Sequence, residues 1–242
     1  FILALYFVID GYTKFKAKQK KIPALSFAIA ILNIITIPFA IFFAKSTGAI
    51  IGVAGGIGLL LLFWKKTRWW AVGLGVAGFI GFLFLPNAHP IKQELLLQDR
   101  SGQIRISIWK ETAEFLKDNP LAGAGLASYS TIIKPYHTTV NGEGIEIFHH
   151  PHNIFLTMWV NLGLLGLISF IGIIGSVLYT QYKKRNSLTV FNYFAVAAFV
   201  TIIITGLVDS PYIKNDLSIL FWFIVFLTIS PQIYAKLENH KT

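Results

Sequence analysis

Two short stretches of this chain hold the residues best suited to chemistry. One is His149-His150-Pro151-His152-Asn153, and the other surrounds Arg105. An imidazole titrates near neutral pH, so a histidine here can take a proton from an attacking hydroxyl. Three histidines within four residues can also hold a metal ion. However, Pro151 keeps the residue before it extended, and no His-Glu-x-x-His partner motif accompanies them. A third reading is structural: interfacial histidines ahead of a helix that starts at 152 or 153, with Asn153 as a good N-cap. A helix start at that point would also favour an anion nearby. The residues alone leave these readings open.

Residues 101–117, placed at about 100° per residue, separate into two arcs. Ile104, Ile106, Ile108, Trp109, Ala113, Phe115 and Leu116 form an apolar arc. Gln103, Ser107, Lys110, Glu111, Glu114 and Lys117 fill the opposite one. This pattern predicts an amphipathic helix lying on a membrane surface or against a bundle, with Ser101 as N-cap and Pro120 as stop signal. Arg105 falls near the middle of the apolar arc, beside Trp109 and Thr112. Its stem can snorkel to lipid headgroups. Alternatively, its guanidinium faces a partly buried anion; the group grips phosphate in bidentate fashion and stays charged, which suits a diphosphate. Leu121-Ala122-Gly123-Ala124-Gly125 follows, either as a flexible turn or as a place where backbone approaches a ligand or a neighbouring helix closely.

The elements that carry these groups are hydrophobic. Of the 242 residues, 55% are hydrophobic and 13% charged, with mean hydropathy +0.63. A soluble domain has about 25% charged residues, so an ordinary water-facing surface is excluded. Twenty-one Phe and 6 Trp suit lipid-facing helices and interfacial belts. Stretches at roughly 22–44, 47–64, 69–86, 162–181, 189–208 and 217–235 are candidates for the ~20 residues that cross a bilayer core. Pro38 is placed to kink the first. Residues 1–12 resemble half of a further span, so the chain reads as the C-terminal portion of a longer protein, with N-terminal helices missing. The absence of Cys excludes disulfides, thiolate metal sites and a Cys nucleophile.

The net charge of +10 reads as basic loops on one membrane side, not as a nucleic-acid surface. Lys14, Lys16, Lys18, Lys20 and Lys21 fill one loop, Lys65, Lys66 and Arg68 another, and Lys183, Lys184 and Arg185 a third; Lys236 and Lys241 follow the last span. Alternation puts all of these on one side, the cytoplasm. The long segment 87–152 then faces outward, with five of the 6 His and seven of the 11 Asp and Glu residues. Asp209 and Asp216 lie in the last outer loop, and Lys134, Tyr136 and His137 in the large one. The expected fold is all-α: a polytopic transmembrane helical bundle forming one integral membrane domain. Its spans lie in 1–86 and 153–242, and its large, partly helical outer loop in 87–152.

At this point a resemblance applies. Arg105-x-x-x-Trp109, Pro120-Leu121-x-Gly123-x-Gly125, and His152-Asn153 with nine residues before Gly163-x-x-Gly166 resemble the O-antigen ligase and polymerase superfamily. Asp209-Ser210-Pro211 before Phe221-Trp222 is similar to its C-terminal region. The resemblance runs from about residue 25 onward. It implies a metal-independent, inverting, GT-C-like glycosyltransferase without a cofactor, in the bacterial inner membrane with its active face outward. Such an enzyme moves a glycan from an undecaprenyl-diphosphate carrier to an acceptor hydroxyl on lipid A core, glycan or protein. It implies that Arg105 binds the donor diphosphate and His152 acts on the acceptor hydroxyl, with Asn153, Trp109, Gly123, Gly125, Gly163, Gly166 and Asp209 in support. Many members carry Ser-Arg where this chain has Ser46-Thr47, and Arg100 or Lys45 is the candidate replacement for that second phosphate ligand. The rival classes are a transporter or flippase for lipid-linked glycans and a protein that only binds them. A transporter would place ionisable groups within its spans. Here the spans carry almost none, Asp10 being the main exception.

Overall fold

The computed structural model describes residues 1–17, 24–140, 142–211 and 215–229. Lys18, Lys20, Lys21, Lys236 and Lys241 of the basic loops, and the side chain of Asp216, lie outside the described residues. The described chain is mostly helical. In order it runs α1 (Ile2–Lys16), α2 (Ala24–Phe43), α3 (Thr47–Phe63), α4 (Arg68–Phe84), α5 (Pro90–Leu95), α6 (Arg100–Asp118) and α7 (Tyr129–Ile132). A 3₁₀ turn (Lys134–Tyr136) and two strands, β1 (Thr139–Val140) and β2 (Glu143–Gly144), precede α8 (Ile154–Lys183), α9 (Val190–Thr205) and α10 (Asn215–Ile229). The strands form a small antiparallel hairpin, Thr139 opposite Gly144 and Val140 opposite Glu143, which is a minor departure from the all-α expectation.

Among the described residues, a helix lies in each of the six stretches read as spans. Two of them, Leu25–Phe43 within α2 and Ile154–Lys183, are long and apolar enough to cross a membrane; α3, α4, α9 and α10 are shorter apolar helices. No residue of α4 is buried, and Trp69, Trp70, Phe79 and Phe84 on it are more than half exposed. A helix apolar on all sides needs a non-aqueous neighbour.

The chain forms two compact units. One comprises Phe1–Val72, Leu178–Ile202 and the residues from Ile219 on. Its core joins Ile2 and Tyr6 of α1, Leu60 of α3, and Phe191, Phe194 and Ala195 of α9. The Tyr6 and Phe191 rings meet edge to face at 5.1 Å, a favoured aromatic geometry.

The other unit comprises Gly73–Val177 and Ile203–Ser218, and it holds the candidate site residues other than Lys45. Helix α6 is its centre. Asp99, not Ser101, is the N-cap: its carboxylate accepts the N–H groups of Ser101 and Gly102 at 3.2 and 3.1 Å. Asp caps as well as Ser, and its charge also favours the positive helix end. The helix stops at Asp118, two residues before Pro120.

The two-arc reading of α6 holds only in part. Ile108, Phe115 and Leu116 are buried with Tyr129, Ile133 and Val160 as expected. Glu111, assigned to the polar arc, is only 4% exposed, and Ala113 of the apolar arc is exposed. The loop that follows folds back over the polar side of α6, which periodicity within one helix cannot register. Glu111 accepts the Thr138 N–H at 3.0 Å and the Thr138 hydroxyl at 2.8 Å from that loop, and the Ser107 hydroxyl at 3.3 Å from its own helix. His137 Nδ1 stands 3.2 Å from its second oxygen. A buried carboxylate is tolerated when its lone pairs are met in this way.

Candidate active site

The His152-Asn153 step opens α8. Asn153 Oδ1 accepts the N–H groups of Phe155 and Leu156, both at 3.0 Å, so it is an N-cap as its sequence position suggests. Its Nδ2 donates to Leu207 O at 2.9 Å, and the next amide, Ile154 N, donates to Gly206 O at 2.7 Å. Arg105 Nε donates to Val208 O at 2.8 Å, and its Nη1 to Ser101 Oγ at 2.5 Å. Three consecutive carbonyls, Gly206 to Val208, thus receive donors from the α8 start and from α6. Thr157 and Ser210 close the junction with a buried hydroxyl pair at 2.9 Å.

Residue 209 comes next, and Asp209 Oδ1 lies 3.4 Å from His152 Nδ1. That nitrogen is buried and makes no aligned hydrogen bond, so the contact is electrostatic in character. Even so, His152 holds the Asp209 carboxyl below its ordinary range, against the opposing pull of burial, and the Ser210 amide adds to it. Asp209 therefore sits with His152. Arg105 sits one residue away, on Val208. Trp109 joins the same junction by donating Nε1–H to Pro151 O at 2.9 Å. Among the described residues, Arg105 uses two of its guanidinium N–H groups in these bonds, and such a group has five.

The glycines serve a second junction. Helix α8 is broken at Gly163, which has φ +70 and ψ −175, so its two legs are Ile154–Leu162 and Leu164–Lys183. The second leg matches the predicted span 162–181, whereas the first leg extends beyond it. The break frees backbone groups, and the 120–125 loop satisfies them. Ala124 N donates to Val160 O at 2.6 Å, Leu164 N donates to Leu121 O at 3.0 Å, and Trp159 Nε1 donates to Pro120 O at 2.7 Å. Gly123, at φ +64, lies so close that a Cβ on it would overlap the Val160 and Trp159 carbonyls. A Cβ on Gly163 would overlap Leu121 O. Gly125 has φ +85 in the same loop, and a Cβ on Gly166 would meet Leu162. The small-residue run is therefore a close backbone approach between loop and helix break.

Arg100 does not join Arg105. It is the first residue of α6, about 140° round the helix from Arg105, and pairs with Glu143 of β2 at 2.7 Å. Lys45 and Ser46 lie in the other unit, where Ser46 Oγ caps α3 by accepting Ala49 N–H. His137, besides Glu111, contacts Ile145 O through Nε2 at 2.9 Å. Tyr136 donates to Asp118 at 2.6 Å. Among the described residues, no group of three or more His, Asp or Glu side chains converges to hold a metal ion. The carbonyls of 206–208 were not legible beforehand, because backbone acceptors leave no residue-type signal.

The family model of the O-antigen ligases matches residues 28–171, and the chain belongs to that family. A protein of Rickettsia conorii named "Putative polysaccharide ligase" is 27% identical over 170 residues, covering 65% of this chain and 40% of that protein. Proteins of the same name type from Rickettsia typhi and Rickettsia felis are 25% and 28% identical over 128 and 125 residues. The chain thus spans well under half the length of the relatives it matches. No solved structure matches it.

Proposed function

We propose that this chain carries the reaction centre of an O-antigen ligase-type glycosyltransferase. The carrying observation is that consecutive residues, Val208 and Asp209, receive Arg105 and His152. In this reading the apolar helices form a polytopic bundle in the bacterial inner membrane, and the 87–152 segment faces outward with the site. The donor is a glycan on undecaprenyl diphosphate. The acceptor hydroxyl attacks the anomeric carbon from the face opposite the carrier, so configuration inverts. The new C–O bond forms as the bond to the diphosphate breaks, and that electron pair leaves on the phosphate oxygen. Arg105 stabilises the charge developing there, without a metal. The hydroxyl proton passes to His152 Nε2, and Asp209 beside Nδ1 supports the imidazolium. Arg100, facing elsewhere and paired with Glu143, is a weaker candidate for the diphosphate. The acceptor, whether lipid A core, a growing glycan or a protein hydroxyl, separates ligase from polymerase and protein O-oligosaccharyltransferase.

The broken α8 supports a second reading, since transporters often use interrupted helices at their binding sites. Against it, loop backbone satisfies the break, and the break carries no ionisable side chain. The test uses the full-length protein, a labelled undecaprenyl-diphosphate oligosaccharide, chelator and a panel of acceptors, with His152→Ala alongside. Chelator-resistant transfer abolished in His152→Ala is the expected result. Normal transfer by His152→Ala refutes the role of His152, and absence of transfer by wild type favours transport or binding.

A further inference from the structure

The chain contains two His-Pro steps of interest, His89-Pro90-Ile91 and His150-Pro151-His152, and they use one local device. In each, the histidine Nδ1 accepts the backbone N–H two residues on, at 3.3 Å in both cases. The intervening proline presets its own φ and carries no competing N–H. The imidazole plays the part that an asparagine side chain plays in an Asx turn. At His89 the bonded amide is that of Ile91, in the first turn of α5, for which His89 is the N-cap. At His150 the bonded amide belongs to His152.

His152 has φ +48, a left-handed conformation that non-glycine residues seldom adopt. The surroundings have to impose it. Pro151 O is held by Trp109, and Asn153 and Ile154 are held by the 206–207 carbonyls. The His152 amide is held by His150. The two imidazoles also stand edge to face at 4.6 Å, and Phe148 packs against the His152 ring at 4.8 Å.

We propose that His150 is a positioning residue for glycan transfer. Its neutral ring caps the His152 amide and thereby sets the backbone that presents the His152 ring to Asp209 and to the acceptor. It does not touch the substrate. The inference rests on the reading of His152 as the acceptor's base. Its geometry also fixes the tautomer: Nδ1 is an acceptor, so the ring proton is on Nε2.

The test compares His150→Leu, His150→Asn, His89→Leu and His152→Ala in the full-length protein, with donor concentration varied in the transfer assay. Leu cannot accept the amide, whereas Asn accepts it in an ordinary Asx turn. His150→Leu is expected to lower kcat about 10- to 100-fold, the scale of a misplaced reacting group, with the donor KM within about threefold. His150→Asn is expected to regain most of that loss, and His89→Leu to transfer like wild type. Nitrogen-15 histidine spectra, assigned by the resonance lost in His150→Asn, are expected to show an unprotonated Nδ1 at His150. This readout needs neither activity nor a folded Leu variant. If His150→Leu keeps wild-type kcat, if His150→Asn is as impaired as Leu, or if His150 Nδ1 carries the proton, the positioning role is overturned. Loss of transfer in His152→Ala would leave the underlying reading standing in each of those cases. Normal transfer by His152→Ala would overturn that reading and the inference with it.

Discussion

Replacing Gly163 by alanine tests whether the break in α8 is built into the site. Gly163 has φ +70 and ψ −175, a region occupied almost only by glycine. An alanine there costs about 1–3 kcal/mol in backbone strain alone. Its Cβ would also overlap Leu121 O and come within 3.1 Å of the Ala122 carbonyl. Relieving the overlap pushes the 121–124 loop off the helix. That breaks the Leu164 N to Leu121 O and Ala124 N to Val160 O bonds, each worth about 1 kcal/mol. Together these give about 3–5 kcal/mol, or a fall in Tm of roughly 10 °C for a chain of this size. Thermal melts of the full-length protein in nanodiscs, followed by tryptophan fluorescence, measure it, because Trp159 donates to Pro120 O at this junction. Gly172→Ala is the control: on α8, with nothing within 4 Å of its added Cβ, it should leave Tm unchanged or slightly raised. A Gly163→Ala protein melting within about 2 °C of wild type would refute the reasoning.

Glu111→Ala removes a buried acceptor from Ser107, Thr138 and His137. It should destabilise the outer segment by about 3 kcal/mol, read as faster protease cleavage between residues 134 and 148. Arg105→Lys keeps the charge but not the geometry that serves Val208 O, Ser101 Oγ and a diphosphate together. Transfer should fall at least about tenfold, with little recovery over Arg105→Ala, as judged by initial rates. Asp209 has a depressed folded pKa, so its ionised form stabilises the fold at neutral pH. That contribution should be lost as pH falls below the usual carboxylate range, about 3.9. The Tm gap between wild type and Asp209→Asn should therefore narrow toward low pH. Burial pushes the Tyr129 phenol up to about 12. Ultraviolet titration should show a late-ionising tyrosine component there, and that component should shrink in Tyr129→Phe.

Much of the architecture was legible because it follows from hydrophobicity along the chain. Apolar runs place α2, α3, α4, α8, α9 and α10, and the Asn153 cap and the stop before Pro120 are chemistry within a few residues. Arg105 stood out as a cation in an apolar arc, a costly placement that needs a partner, and His152 as a titratable group in a histidine cluster and in the motif of the resemblance. Their long-range contacts, Arg105 with Val208 O and His152 with Asp209, were not readable from spacing, because each joins residues more than fifty positions apart, although the resemblance names Asp209 in support. The carbonyls of Gly206, Leu207 and Val208 look like any other backbone, and a glycine pattern does not say which strand of chain lies against it. Glu111 showed the limit most clearly. A helical wheel assumes one face is wet, and only the folded loop reveals that this one is covered. The sequence by itself determined the apolar helices, the Asn153 cap and the candidate side chains, since these depend on local propensity and side-chain chemistry. Tertiary structure alone decided which of those side chains meet, because that depends on hydrogen bonds between segments that the chain order keeps apart.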